Sequence, residues 1–274
     1  MEEKVFYSYQ DDHYYVHHTL TVRPEQEAFS FRSHSHNMYE IYFFLDGEAD
    51  FVVEGNIHTL KPGTLMLCNR GATHHIHIKN TEMDYERIAL LFSHKVLPEG
   101  FDQLFQDADD GSNMFLLNKN ERIWFWEFFR ILEESGDSLQ ETSMILSFIT
   151  AVLSKLTQMQ KNQKEIAPTS DPIVRDIIRY IHQHIAVEWH LEDMEKALYR
   201  NRIYLNRRFK AVMGCSIWEY TLRKRIFTAQ QQLYLTRNIS EAFRASGFQD
   251  YSVFFRHYKK YIGVSPSEEL KNFT

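Results

Sequence analysis

YLNRRFKAVMGCS (204–216) and VFFRHYKKYIGVS (253–265) align without gaps at an offset of 49 residues. In both stretches an arginine is followed three residues later by a lysine, and then by a glycine and a serine. Such an internal repeat indicates two copies of one supersecondary unit. Each copy combines a short helix, a tight turn and a longer amphipathic basic helix, the pattern of a helix-turn-helix whose second helix enters the major groove of DNA.

Charge is distributed unevenly along the chain. Residues 172–274 contain 17 Lys and Arg against 10 Asp and Glu, whereas residues 1–171 contain 14 against 27. A basic C-terminal part joined to an acidic remainder indicates that only the C-terminal part contacts a polyanion. The alternative is a structural all-α bundle with a repeat. The paired Arg and Lys positions and the tandem arrangement favour double-stranded DNA as the partner.

GFQDYSVFFRHYKKYIGVSPSE (247–268) resembles the signature of AraC/XylS-type transcriptional regulators, and SIWEYTLRKRIFTAQQQL (216–233) is similar to the linker helix of that family. The resemblance implies an all-α DNA-binding domain at 172–274, with helix-turn-helix units at about 190–213 and 239–262. The two recognition helices of such a domain enter successive major grooves about 34 Å apart. Carried over from the family, the base-reading side chains are Arg202, Ile203, Asn206, Arg207, Tyr251, Ser252, Phe255 and Arg256.

Several positions depart from the family pattern, among them Glu269-Leu270, which stand where Tyr-Arg is usual after the Ser-Pro. Phe255 stands where a small polar residue is usual, so the second recognition helix is expected to read DNA shape or thymine methyl groups. Glu195 and Phe243 replace the small alanine that normally packs each scaffold helix against its recognition helix. These departures bear on where the helices lie, and not on the class of protein.

The N-terminal part has a different pattern of apolar and polar residues. Residues 19–95 alternate apolar and polar positions and are interrupted by DGE, EGN, KPG and NRG turns, which predicts an all-β sandwich or barrel. Residues 119–160 change to a helical period and predict a hairpin of two helices parted by Gly136-Asp137. The hairpin either caps the barrel or pairs with a second subunit, and its surplus apolar surface favours a homodimer. A polar segment, 161–171, reads as a linker.

SHSHNMYE (33–40) and GTLMLCNRGATH (63–74) together match the two halves of the cupin pattern. The resemblance predicts a multidomain chain: an N-terminal all-β cupin-like barrel at 1–118 with the helical hairpin, then an all-α tandem helix-turn-helix domain. If Glu40 points into the barrel, the strand period of two sends Tyr42 and Phe44 in with it. The candidate effector pocket consists of His34, His36, Glu40, Tyr42, Phe44 and His74.

A second interpretation of the pocket is a metal site. Three imidazoles and a carboxylate, from His34, His36, His74 and Glu40, suit iron, manganese, nickel or zinc. The alternative function is therefore a metal-dependent cupin enzyme fused to a DNA-binding domain. AraC-type regulators often have a cupin-like sensor with His-x-His at this position, so the resemblance favours a ligand pocket without catalysis and with no required cofactor. Sugars, the frequent effectors of the family, are the first candidates.

Location follows from what the sequence lacks. The N-terminus is acidic and has no apolar central region, and the longest apolar runs are too short to span a bilayer. The only two cysteines, Cys68 and Cys215, fit a reducing compartment. We therefore expect a cytoplasmic regulator with no membrane contact, which would also contact RNA polymerase if it acts as an activator.

Overall fold

The computed structural model of the chain describes residues 2–25, 31–106, 114–134, 139–160 and 169–271. Strands predominate up to Leu116 and helices from Lys119 onward, as the sequence predicts. The strands are β1 (Glu2–Gln10), β2 (Tyr14–Val22), β3 (Tyr39–Asp46), β4 (Ala49–Val53), β5 (Asn56–Thr59), β6 (Thr64–Cys68), β7 (His74–Ile78), β8 (Tyr85–Phe92), β9 (Met114–Leu116) and β10 (Thr169–Ser170).

The strands form two antiparallel sheets. Six strands pair in the order β1-β2-β8-β3-β6-β9, and four pair in the order β10-β5-β4-β7. The segment before β3 is tied to the smaller sheet by an isolated bridge between His34 and His74. The inner faces of the two sheets pack together around an aromatic and aliphatic core.

Strand β3 has buried side chains on both faces. Tyr42 and Phe44 pack with Phe51 in the core between the sheets. Ile41 and Phe43 point the other way, into a second core shared with helices α2 (Lys119–Glu134) and α3 (Leu139–Gln160), which follow the short α1 (Gln103–Gln106). The hairpin therefore covers the outer face of the larger sheet. Its predicted Gly136-Asp137 turn lies outside the described residues.

The sheet begins earlier than the sequence pattern suggests. Residues 19–95 were the predicted strand region, yet β1 and most of β2 precede residue 19. The burial of β2 alternates along YYVHHTLTV, with buried and partly exposed positions following one another. The alternation of apolar and polar residues that predicts a strand is interrupted at His17 and His18, because histidine is not counted as an apolar residue.

The C-terminal domain contains two similar units joined by a long helix. Its helices are α4 (Pro172–Gln183), α5 (Leu191–Leu198), α6 (Arg202–Met213), α7 (Ile217–Thr236), α8 (Ile239–Ala245), α9 (Tyr251–Ile262) and α10 (Pro266–Lys271). Helix α7 serves both units: Ile217 and Tyr220 join the core of the first, and Ile226 and Leu233 join that of the second. No described helix is both long and apolar enough to cross a bilayer.

The last residues of the predicted linker contact both the barrel and the first helix of the C-terminal domain. Residues 161–168 lie outside the described part of the chain, but Thr169–Ser170 adds a short strand to β5. The next residue, Asp171, caps α4 by accepting hydrogen bonds from the first backbone N–H groups of that helix. The same carboxylate lies 2.5 Å from the guanidinium of Arg208 on α6.

Candidate functional site

A cavity of about 510 Å³ opens between the two sheets of the N-terminal domain. One wall consists of Glu40 together with the histidines of segment 34–36 and of β7. Another wall is formed by Tyr15 and His17 of β2 and Arg87 of β8. The volume lies in the range usual for sites that enclose a small molecule, and the mixture of aromatic, imidazole and charged groups suits a polar ligand.

Three of the histidines are oriented by the backbone. Nδ1 of His34, His36 and His74 lies 2.8–3.0 Å from a carbonyl oxygen two residues away in the chain. Because a carbonyl oxygen only accepts, each Nδ1 carries a proton, and each Nε2 keeps a lone pair unless the ring gains a second proton. One ring nitrogen of each histidine lies within 4.8 Å of those of the other two. Such backbone tethers are typical of metal-binding histidines.

Glu40 meets two of these rings. Its carboxylate is buried and places Oε2 3.3 Å from Nε2 of His36 and 3.1 Å from Nε2 of His74. With both Nδ1 atoms protonated, a carboxylate that faces two lone pairs is repelled by them. The cluster therefore requires one cation, which is either an additional proton or a metal ion.

A proton on His74 meets this requirement in the absence of metal. Burial alone would raise the pKa of Glu40, but the positive charge of His74 holds this pKa well below its usual range. Burial opposes a charge on His74, whereas Cys68 and Glu40 raise the pKa of His74 well above its usual value. Burial also raises the pKa of the Cys68 thiol, so Glu40 is the anion that acts at neutral pH.

The same residues also fit a divalent metal ion. Nε2 of His74 is buried and is in hydrogen-bond geometry with no group of the described chain, although it faces Glu40. The pKa of His34 is lowered to about 3, first by burial and then by His74, so this ring stays neutral and able to ligate. His34, His36, Glu40 and His74, all predicted from the sequence, are thus brought together in one cluster.

Phe44, which the sequence predicts in the pocket, does not line the cavity. It lies on the same face of β3 as Tyr42 but deeper, fully buried and 5.9 Å from the ring of Tyr85. The hydroxyl groups of Tyr42 and Tyr85 contact each other. The strand period predicts the face of the sheet correctly, but it carries no information about depth along the barrel.

Sequence reasoning missed Tyr15 and Arg87, and it left open whether His17 belongs to an N-terminal arm that folds over the pocket. All three follow from the same period of two, applied to β2 and β8, once these strands are recognised as neighbours in one sheet. Burial, and then Arg87, lower the pKa of His17. The cavity therefore contains a guanidinium that no motif indicates.

On the first recognition helix, α6, three of the four predicted base-reading residues are exposed. The side chain of Ile203 is 73% exposed, Arg207 is exposed, and Arg202 pairs with Glu192 of α5. Asn206 is only partly exposed, and its Oδ1 accepts a hydrogen bond of 3.1 Å from the backbone N–H of Ile217. This amide binds the first turn of α7, because the face of α6 that carries it turns toward the linker helix.

The second recognition helix, α9, exposes all four of its predicted positions. Tyr251 and Phe255 are 47% and 37% exposed, unusually high values for large aromatic side chains, while Phe254 is completely buried. Ser252 and Arg256 are exposed on the same helix. Phe243, one of the departures from the family pattern, packs in the core below these residues.

A buried ion pair joins the two halves of the molecule. Glu54, in the turn between β4 and β5, places Oε1 2.6 Å from Nζ of Lys224 on α7 and accepts a hydrogen bond from the hydroxyl of Tyr220. The same Oε1 accepts a hydrogen bond of 2.5 Å from the backbone N–H of Thr73. Thr73 directly precedes His74 of the cavity, so one carboxylate contacts both the linker helix and the histidine strand.

A second contact lies beside it. The guanidinium of Arg223 on α7 donates to the hydroxyl and the carbonyl oxygen of Ser33, at 3.3 and 3.2 Å. Ser33 precedes His34 and lines the cavity. Gly214, which ends α6 at a φ of 68°, approaches the same serine so closely that a Cβ there would lie 3.1 Å from that of Ser33. The first helix-turn-helix unit thus rests directly on the wall of the cavity.

Two family models match the chain. Residues 5–149 match the family described as an AraC-like ligand binding domain, and residues 194–272 match a helix-turn-helix domain. The Msm operon regulatory protein of Streptococcus mutans is 22% identical over 254 residues, which cover 89% of this chain and 88% of that protein. The transcriptional regulatory protein HptR of Staphylococcus aureus is 28% identical over 132 residues, and the chain spans about half of its length (52%).

Two solved structures also align with the chain. ToxT from Vibrio cholerae is 16% identical and covers 95% of this chain and 98% of its own, with a TM-score of 0.39. The C-terminal domain of AraT, a response regulator from Geobacillus stearothermophilus, is 29% identical over 37% of this chain and 86% of its own, with a TM-score of 0.36.

Proposed function

This chain belongs to the AraC-type transcriptional regulators, with a ligand-binding domain followed by helix-turn-helix units, and from that premise we propose that a small molecule in the barrel cavity controls how α6 and α9 engage double-stranded DNA. The observation that carries the proposal is the contact of Glu54 with both Lys224 and Thr73. A ligand that moves the strand of His74 also moves one partner of a buried ion pair that holds the linker helix.

The physical chemistry of this pair makes it suitable for coupling. Breaking a buried ion pair leaves an unpaired charge in a poorly solvated place, which costs about 3–5 kcal/mol. A ligand that binds one arrangement of the domains more tightly than the other shifts the equilibrium between them. A difference of about 1.4 kcal/mol in binding free energy already changes the ratio of the two arrangements tenfold. Ser33, held by Arg223 and adjacent to His34, offers a second route between the cavity and α7.

DNA reading is assigned to the exposed side chains of the two recognition helices. Arg207 and Arg256 occupy equivalent positions of the repeat, and both are exposed. Arginine suits the acceptors of guanine in the major groove, while Ile203 and Phe255 suit the methyl group of thymine. RNA polymerase becomes a further partner if the protein activates transcription.

Dimerisation is assigned to the helical hairpin. Its inner face covers the larger sheet, yet Ile123 and Ile131 are 51% and 49% exposed, and Trp124 is 38% exposed. Large apolar side chains gathered on one outer helix face are typical of a subunit interface. Ile131→Glu should convert a dimer to a monomer in sedimentation experiments; a dimer that survives the substitution contradicts this assignment.

A divalent metal in the histidine cluster is a second candidate feature of the same pocket. The buried Nε2 of His74 without a hydrogen bond to the described chain favours it, as do the three backbone-tethered rings. His34, His36, His74 and Glu40 would hold the ion, which would supply a Lewis-acidic centre for a ligand oxygen. The relatives named as regulators support a sensing rather than a catalytic role for such an ion.

The test of the proposed function uses the full chain. Bound sequences are selected from random duplexes, and the affinity for the best sequence is then measured with and without low-molecular-weight extracts of cells. We expect a specific site with a strong salt dependence and an affinity that changes with the extract. The change should be lost in Lys224→Met and retained in Lys196→Met, which alters an exposed lysine of α5. Specific binding that never responds to small molecules would refute ligand control.

A further inference from the structure

Arg87 has no charged partner among the described residues. Its guanidinium lies 5.9 Å from the ring of Phe31 and 5.5 Å from that of Tyr85, and Nη1 is buried without a hydrogen bond to any described group. Ring faces hold a guanidinium in place, but they do not satisfy N–H groups in its plane. A buried and unsatisfied donor of a charged group costs more than about 1–3 kcal/mol, so the position is unfavourable unless something in the cavity accepts from it.

Two neighbouring acidic residues are engaged elsewhere. Glu86, next to Arg87 in β8, points to the opposite face of the sheet and binds His18 at 2.9 Å. Glu40, across the cavity wall, contacts His36 and His74. Glu86 and Glu40 are thus committed to histidines. The exposed Glu3 of β1 also lines the cavity, but it forms no ion pair with Arg87 in the described part of the chain, so the guanidinium retains its positive charge toward the cavity.

We propose that the effector carries an anionic group, a carboxylate or a phosphoryl group, which Arg87 binds on the wall formed by β2 and β8. The proposal rests on the proposed function, because it names the chemical class of the ligand for the same cavity. A planar guanidinium donates two parallel hydrogen bonds to either group, and such charge-assisted pairs are stronger than bonds to neutral hydroxyls. The remaining walls, with Tyr15, Tyr42 and the histidines, would contact a polar body such as that of a sugar acid or a sugar phosphate.

The experiment measures thermal unfolding of the full chain with increasing acetate, inorganic phosphate or glucose, at constant ionic strength. The variants are Arg87→Met and, as a control for loss of one positive charge, Arg179→Met on the exposed face of α4. Removing an unpaired charge should not prevent folding. If Arg87→Met nevertheless fails to fold, Arg87→Lys keeps the charge and removes the two-pronged geometry.

We expect the melting temperature of the wild type and of Arg179→Met to rise saturably with at least one anion. In Arg87→Met the apparent dissociation constant should increase at least about tenfold. A response to acetate alone identifies a carboxylate, and a response to phosphate alone identifies a phosphoryl group.

Equal responses in the wild type and Arg87→Met, or no saturable response of the wild type to either anion, overturn the proposal. A response to glucose alone that depends on Arg87 also overturns it, since the ligand would then be a neutral polyol. DNA binding is measured on the same samples. It separates these outcomes from a failure of the proposed function, because binding of DNA by α6 and α9 does not depend on the chemical class of the ligand.

Discussion

Nζ of Lys224 lies 2.6 Å from Oε1 of Glu54, and this ion pair between linker helix and barrel is largely buried, with side chains 18% and 7% exposed. Burial would raise the pKa of Glu54, but the charge of Lys224 and its hydrogen bond lower it overall. The pair therefore stays ionised at neutral pH. Because Glu54 also accepts from Thr73, its partners belong to two domains, and removal of either charge should affect both.

A double-mutant cycle tests this pair. Lys224→Met should lower the free energy of unfolding by about 3–5 kcal/mol, because Glu54 is left buried and unpaired. Glu54→Gln combined with Lys224→Met should cost less than the sum of the single changes, with a coupling of about 0.5–3 kcal/mol in urea titrations. The exposed pair Arg179–Asp176 is the matched control, where about 0–1 kcal/mol is expected. Strict additivity at the buried pair would contradict the coupling.

The attachment of the hairpin to the barrel should depend on pH through His18. Its two ring nitrogens lie 2.6 Å from Glu133 of α2 and 2.9 Å from Glu86 of β8, and although burial opposes the charge, these carboxylates raise the pKa of His18 overall. A raised pKa in the folded state means that this stability is fully present below the unfolded pKa of about 6.5 and is lost as pH rises through the folded value. The free energy of unfolding should therefore fall with pH above about 6.5, by about 1.4 kcal/mol for each unit that the folded pKa is raised.

His18→Gln is the control for that pH dependence, because glutamine does not titrate. Its unfolding free energy, from denaturant titrations at pH 6 to 9, should be nearly independent of pH where the wild type loses stability. Parallel curves for the two proteins would assign the pH dependence to another group.

Arg207 and Asn206 are adjacent on α6 but should behave differently. Arg207→Ala should weaken binding to a selected DNA site by about 1–3 kcal/mol and relax the preference at one base pair, as expected for loss of a base contact. Asn206→Ala should instead lower stability, by about 0.5–2 kcal/mol, since Asn206 accepts a hydrogen bond from the start of α7. Competition with selected and random duplexes separates the two, and uniform weakening in Arg207→Ala would mean that Arg207 contacts only phosphate.

Metal occupancy of the histidine cluster is tested by elemental analysis and chelation. We expect about one divalent ion per chain in protein purified without added metal, and a lower melting temperature in a strong chelator, because losing a site that tethers four residues removes binding free energy from the folded state. His36→Ala should lose the ion, while His77→Ala, an exposed histidine of the same strand as His74, should keep it. Metal-free protein that is insensitive to chelator would make the proton of His74 the cation beside Glu40.

The features predicted from the sequence are those set by local pattern. The repeat at 204–216 and 253–265 has both its glycines in the left-handed conformation at the ends of α6 and α9, with φ of 68° and 93°. His34, His36, Glu40 and His74 could be grouped because the cupin pattern fixes their spacing. In both cases the information lies within a few tens of residues.

The features that were missed depend on the third dimension. Phe44 lies on the predicted face but below the cavity, since its depth depends on Tyr85 from another strand. Arg87 enters the cavity wall only because β8 lies between β2 and β3. Asn206 contacts the start of α7 because the turn after α6 brings Ile217 within reach. The hydrophobic period of a single strand or helix does not depend on such long-range neighbours.

The short strand β10 has a mechanical consequence. Ser170 pairs with Asn56 at the barrel edge, and the following Asp171 already caps α4 and binds Arg208 of α6. Asp171 directly connects β10 to α4, so no flexible linker lies between the barrel edge and the first helix-turn-helix unit. A domain on a long flexible linker can take any orientation relative to the barrel, whereas a domain on a short connection can only rotate about it. If the ion pair between Lys224 and Glu54 breaks, this short connection should restrict the movement of α6 relative to the barrel to a rotation about residues 169–171.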